Sequence, residues 1–326
     1  MKVTAAGSLP GADFRGALSA MTELLPDVLP LPELPARGVG SGMVGRALGI
    51  VSDLGFDLQP AGWRLTSSSG ADHRRAQAQW RRDLDDAEEL LAGFEGVLKI
   101  GLAGPWTLAA SVERPTGDRL LADHGARREL AQALAAAWYE LASEVARRLP
   151  GARVLLQVDE PALLSVAAGA IPTASGFGKH RKVAADELVA ALRPLAPDAW
   201  LHCCAPGEWL HLADRAGFTT VAIDAGQHRT SQQLDALSAW AQEGRGVVAG
   251  VVDTARPQPQ GTDELVTVAL RLLRPLELSL DAVEKQVLLG TACGLAGWPR
   301  STVTPQLVAL RDAAPLVAES LAVRAG

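Results

Sequence analysis

The clearest chemistry in this sequence is carried by His202, Cys204 and Cys293. One imidazole and two thiols match the ligand set and tetrahedral preference of Zn²⁺. His202 and Cys204 are two apart in Leu201-His202-Cys203-Cys204, and on an extended strand such residues share a face. Cys203 then points the other way, as a small core hydrophobe. A His-x-Cys pair by itself is more often packing than metal binding, and the distant Cys293 on the same rim gives it weight. Asp224, which closes the apolar run Thr219–Asp224, is a fourth candidate donor. Two consecutive carboxylates, Asp159 and Glu160, stand before Pro161, and alternation turns one toward a cleft and the other to its flank. On a turn they would be solvated; in a dry cleft one can grip a ligand ammonium by a charge-assisted hydrogen bond.

These residues sit at the ends of short apolar runs, and the runs predict the architecture. Candidate strands are 2–8, 97–104, 153–160, 200–204, 219–224, 246–253 and 287–294, with an eighth around 62–65. Helix-like stretches at 71–94, 126–149, 184–192, 231–242, 262–273 and 305–322 alternate with them. In the second of these, Leu130, Leu134, Trp138, Leu141 and Val145 recur at three- and four-residue steps, a buried helical face. The four prolines of 25–35 mark a loop crossing an apolar surface. Repeated β-α units without a linker rich in Pro, Gly and Ser predict one domain over 1–326, a single (β/α)8 barrel of the α/β class. A doubly wound open sheet is the alternative, but neither a Gly-x-Gly-x-x-Gly turn nor a phosphate-binding Gly-x-x-x-x-Gly-Lys-[Ser/Thr] loop is present. In a barrel the strand ends form one rim, where His202, Cys204, Asp224 and Cys293 can converge.

Composition narrows the function. The hydrophobic share of 48% is enough for a large core, and a net charge of −6 with no basic run argues against nucleic-acid binding. No stretch is apolar for long enough to span a membrane, and the run at the amino terminus breaks too early for a signal peptide. A cytoplasmic protein is expected, in which the 3 cysteines are thiols rather than disulfides.

Taken together, His202-x-Cys204, Asp159-Glu160-Pro161-Ala162, Gly7-Ser8 followed by Pro10, Gly104-Pro105-x-Thr107 and Cys293-Gly294-Leu295 resemble the catalytic, carboxy-terminal barrel of cobalamin-independent methionine synthase, in the same order along the chain. The wider uroporphyrinogen decarboxylase-like barrels share the architecture. The likeness is densest from Val97 to Arg311, and that enzyme's amino-terminal duplicate barrel has no counterpart. The resemblance implies a zinc methyltransferase of methionine biosynthesis that acts on homocysteine. His202, Cys204 and Cys293 match its zinc ligands, and Asp224 stands where it has a ligating Glu. Asp159 matches the carboxylate that holds the amino group of homocysteine, with Glu160 beside it. Gly7 and Ser8 match the segment that receives the carboxylate.

The departures concern the methyl donor. Asp253 is retained from the family's Asp-x-His, as a catalytic candidate, but Ala255 replaces the His that assists the leaving nitrogen of the folate. No Trp lies in Leu108–Pro115, where the family packs the folate, although Trp106 is just before. No His-Gly-Glu is visible around Gly62-Trp63-Arg64. Methyltetrahydrofolate needs a proton on its leaving nitrogen, so the expected donor is a more activated one, such as a corrinoid protein or a sulfonium compound. Two rival readings share the fold: a zinc alkyltransferase for another small thiol, and a zinc-binding partner subunit without turnover.

Overall fold

The computed structural model describes residues 1–323. In chain order the elements are β1 (Lys2–Val3), α1 (Phe14–Leu24), β2 (Val28–Pro30), α2 (Met43–Leu48), β3 (Gly55–Gln59), β4 (Gly62–Thr66), α3 (Ala71–Leu90), β5 (Gly96–Ala103), α4 (Pro105–Ser111), α5 (His124–Arg148), β6 (Ala152–Asp159), α6 (Leu163–Ala167), α7 (Ala185–Leu192), β7 (Ala199–Cys203), α8 (Leu210–Ala216), β8 (Thr220–Asp224), α9 (Ser231–Gln242), β9 (Gly246–Val252), α10 (Thr262–Leu273), α11 (Leu280–Gln286), β10 (Val287–Thr291) and α12 (Arg300–Ala322). Eight strands are parallel neighbours in the order β1-β10-β9-β8-β7-β6-β5-β2, while β3 and β4 form a separate antiparallel hairpin. A single parallel bridge, Ser8 to Glu33, closes the ring between β1 and β2. The result is the expected (β/α)8 barrel.

One strand assignment is corrected. The run at 62–65 belongs to the outlying hairpin, and the barrel's second strand is Val28–Pro30, inside the proline-rich stretch read as a loop. Pro30 is tolerated there because β2 pairs along its length with β5 alone, so its missing N–H breaks no ladder. The helix before it follows from local signals. The Asp13 carboxylate caps α1 by accepting from the Gly16 N–H, and Phe14, Leu18, Met21 and Leu24 form its buried stripe.

Strand alternation divides the core in two. Side chains facing out from the strands pack under the helices in one large cluster, which includes Cys203. Val28, Leu155, Trp200, Ala222, Val248 and Leu288 face inward and fill the barrel floor, with Val97 against them. One step up the same inward rows come Lys99, Gln157 and His202, all buried; one step further come Gly101, Asp159 and Cys204 at the mouth. Polar residues therefore enter the interior only in the layers beneath and around the rim, on the face where such barrels carry their sites. Among the described residues no helix is long and apolar enough to cross a membrane.

Candidate metal centre

The last inward residue of β7, His202, and the residue just past its end, Cys204, face the mouth as alternation predicts. Cys293 lies beyond the end of β10, where strand alternation no longer sets direction. Its position depends on how closely β9 approaches the chain there. The β9–β10 register shifts by one residue after Gly250, and a Cβ at that glycine would lie 2.5 Å from the Ala292 Cα. Only a glycine lets the Ala292–Cys293 backbone settle over β9.

The three side chains come together. One ligand atom from each of His202, Cys204 and Cys293 falls within 4.8 Å of the others, and the two sulfurs are 3.6 Å apart. Tetrahedral Zn²⁺ with Zn–S bonds of about 2.3 Å would hold two sulfurs about 3.8 Å apart, so the donor set fits the ion. The imidazole is fixed on both sides: Nδ1 lies 2.8 Å from Asp159 Oδ1 and Nε2 lies 3.1 Å from the Ala292 carbonyl oxygen. Both neighbours are acceptors, so without a cation the ring donates twice, as an imidazolium. Burial alone would push the imidazole down, but the hydrogen bond and charge of Asp159 outweigh it and hold His202 above its usual range. The thiols divide their roles. The hydrogen bond from Cys204 pulls Cys293 below the usual thiol range, with the His202 charge adding to it, and the same bond together with burial raises Cys204. A divalent cation taking this site must displace the Cys204 proton and one imidazolium proton.

A cleft of about 160 Å³ opens beside the donors, and its lining includes Gly7, Ser8, Glu33, Asp159, Cys204 and Cys293. Gly7 has φ +126°, a left-handed conformation that only glycine adopts without strain. That turn brings Ser8 against the segment after β2, where the Glu33 N–H donates to the Gly7 carbonyl and the Leu9 N–H to the Glu33 carbonyl. Nothing in the sequence singles out Glu33, because its proline-rich segment reads as a loop. Burial pushes its carboxyl up to about 7, against the pull of the Arg46 charge.

Three sequence candidates lie elsewhere. Glu160 turns outward and is fully buried, where its carboxylate accepts from the Trp106 and Thr107 N–H groups at 2.9 and 2.8 Å and from the Thr107 hydroxyl at 2.6 Å. It braces the first turn of α4 from below and does not line the cleft. Removing it would orphan three buried donors, at a cost of about 1–3 kcal/mol each before relaxation. Asp224 holds the inward row of β8 level with Cys204, as expected, but its Oδ1 accepts from the Gly226 N–H at 2.7 Å, outside the donor group. Asp253 lies outside the cleft and takes the Arg256 guanidinium at 2.9 Å. Trp106 is buried beneath α7, where its indole donates to the Leu188 carbonyl. Of the remaining histidines, His73 is buried and bonds the Leu48 carbonyl, while His124 and His211 lie exposed on helices.

Comparison with known proteins agrees with this geometry. The family model described as the catalytic domain of cobalamin-independent synthase matches residues 96–316, from the start of β5 into α12. A B12-independent methionine synthase from Shewanella sp. W3-18-1, solved in complex with selenomethionine, shares the fold with a TM-score of 0.62 at 14% identity over 98% of each chain. Two β-N-acetylhexosaminidases are also similar in part, each at 12% identity. The one from Streptomyces coelicolor A3(2) has a TM-score of 0.29 over 71% of this chain and 61% of its own. The one from Streptomyces plicatus has a TM-score of 0.31 over 96% and 86%. No curated protein sequence matches the chain. The family match spans most of the barrel and includes all three of the gathered donors, so this chain belongs to the cobalamin-independent synthase family, in its catalytic domain.

Proposed function

We propose that the chain is a zinc-dependent methyltransferase that accepts a methyl group on the sulfur of homocysteine, giving methionine. The observation that carries this reading is the meeting of His202, Cys204 and Cys293 at one edge of a cleft whose other edge carries Gly7, Ser8 and Glu33. Those three residues would hold the ion. When bound, zinc supplies the positive charge that favours the thiolate form of a substrate thiol at neutral pH.

The rest of the task falls to the chain. Asp159 holds the His202 ring and presents its second carboxylate oxygen to the cleft, toward the substrate ammonium. Glu33, on the same cleft, is a second acceptor for that ammonium. The Gly7-Ser8 turn receives the substrate carboxylate, and Pro161, Met43 and Leu31 enclose the aliphatic part and limit water. Asp253 is held in an ion pair with Arg256, and Thr254 and Ala255 beside it carry no acid, so this loop offers no proton to a leaving group. Among the described residues no tryptophan lines the cleft. These features favour a donor whose leaving group needs no proton, such as a methylated corrinoid carried by a protein, over methyltetrahydrofolate. We place the chain in the cytoplasm on the same reading, as one barrel domain.

The test is a donor screen on zinc-loaded protein with L-homocysteine, reading methionine by mass spectrometry. Methionine formed from methylcobalamin or a methyl sulfonium, and not from methyltetrahydrofolate, is the expected outcome. Absence of methionine with every donor, together with no stabilisation of the protein by homocysteine, would overturn the proposal.

A further inference from the structure

Lys99 projects from the middle of β5 into the barrel, 1% exposed, with Nζ 5.5 Å from the centre of the Trp200 ring. Among the described residues no carboxylate lies within ion-pairing distance of it. Burial pulls its amine down to about 7, so a lysine is a costly way to fill a barrel, and a Met of similar length would pack there without the desolvation penalty. The hydrogen bonds show what the amine does. Nζ donates to the Ala5 carbonyl at 2.7 Å and to Gln157 Oε1. Gln157, also 1% exposed, donates through Nε2 to Asp159 Oδ1 at 2.7 Å and to the Ala6 carbonyl at 3.3 Å. The Asp159 carboxylate, which only accepts, fixes the orientation of the amide and leaves its oxygen to take the Lys99 amine N–H.

Together these bonds tie two segments that no backbone ladder joins. The ladder of β1 covers Lys2 and Val3 and pairs with β10 alone, and backbone pairing resumes only at Gly7 and Ser8, which bond the Glu33 and Leu295 N–H groups, so Ala5 and Ala6 pass β5 and β6 outside any ladder. From the β10 side it is held by the Ala6 N–H donating to Thr291 Oγ1 at 2.9 Å. From within the barrel it is held by Lys99 and Gln157. One of those two residues also fixes Asp159, and Asp159 fixes His202.

We propose that Lys99 and Gln157 are a positioning pair that sets the distance between the Gly7-Ser8 turn and Asp159, and thereby the recognition of one enantiomer of an α-amino-acid thiol. The inference rests on the reading of the cleft as a homocysteine site. Once the sulfur is anchored at the donors, the carboxylate and the ammonium provide the other two points that distinguish L from D. A three-point test discriminates only if the receptors keep a fixed separation. Neither residue touches the substrate; each acts through the groups that do.

The test measures binding of L- and D-homocysteine to the zinc-loaded full chain by calorimetry, for the wild type, Lys99→Met and Gln157→Met, with zinc content measured in each. The wild type should prefer the L form. Both variants should keep their zinc, bind L-homocysteine roughly tenfold or more weakly, and lose most of the preference, as expected for a hydrogen-bond tether of ordinary strength. A wild type that binds neither enantiomer overturns the homocysteine reading itself. A wild type that binds L-homocysteine selectively, beside variants that retain both affinity and preference, overturns the positioning role alone. If Lys99→Met does not fold, Gln157→Met carries the same comparison, and loss of fold or zinc in both variants overturns the inference in favour of a purely structural pair.

Discussion

On one side of the cleft, β7 and the turn after β10 supply an imidazole and two sulfurs held at fixed separations; on the other, the ends of β1 and β2 supply a glycine turn, a serine and a single half-buried glutamate. The first wall is rigid in a way that sequence reports. Two of its donors ride on one strand, and the third follows a glycine-permitted close approach. The second wall hardly has a ladder: β1 and β2 meet at one bridge, and side-chain hydrogen bonds from β5 and β6 hold the segment after β1 from inside the barrel. The contrast suits the two tasks. Metal ligands must hold their geometry whether or not substrate is present, whereas an amino-acid receptor needs only a fixed distance from them.

The sharpest way to break this comparison is to remove a sulfur. Cys204→Ser or Cys293→Ser should strip most of the zinc and reduce methyl transfer by at least about a thousandfold, because the barrel keeps its core but loses a soft ligand. Metal analysis beside circular dichroism checks it: a folded variant with full zinc content would disprove the ligand assignment. Either substitution should leave the second wall untouched.

A change on the second wall should do the reverse. Glu33→Gln should keep zinc and raise KM for homocysteine about tenfold or more, the scale of a charge-assisted hydrogen bond made neutral. Burial holds the Glu33 carboxyl at about 7, so it is mostly neutral at pH 6 and mostly charged at pH 8. The wild-type kcat/KM should therefore rise through that interval by a component that the variant lacks, since this quantity reports groups of the free protein. The sign for stability is opposite. A raised native pKa means that the contribution of Glu33 is fully present below its unfolded value near 4.3, and is lost as pH rises through about 7. The variant should thus lose less stability than the wild type between pH 5 and pH 8 in thermal melts.

The same contrast explains what could be read before the fold was known. His202, Cys204 and Cys293 were legible because rare residue types at strand ends carry their own signal and the period of two gives direction. The carboxylates Asp159 and Glu160 were legible as a pair with opposite faces, but not in their roles. Nothing in the sequence tells that Glu160 braces α4 while Asp159 orients a histidine. Glu33 was missed outright, because Val28–Pro30 is three residues long, proline-flanked and paired along its length on one side only, so neither alternation nor length marks it as a strand. The tether from Lys99 through Gln157 was equally out of reach. An inward lysine on an apolar strand looks like a strand with a flaw until the segment it binds is seen.

The smallest expected effect lies at the boundary between the two walls. Asp224 holds the register position level with Cys204, yet its carboxylate is spent on the Gly226 N–H, and burial raises it toward the neutral form. Asp224→Ala should leave zinc content within measurement error of the wild type and lower affinity for the ion by no more than a few-fold, because its carboxylate lies outside the group formed by His202, Cys204 and Cys293. Asp224→Glu sharpens the point. One further methylene, on a side chain already in the inward row, should bring a carboxylate oxygen to the donor group and tighten zinc binding, read by competition with a chromogenic chelator. If the alanine variant instead lost its metal, Asp224 would have to leave Gly226 and join the three donors when zinc arrives, and the first wall would be less rigid than its hydrogen bonds imply.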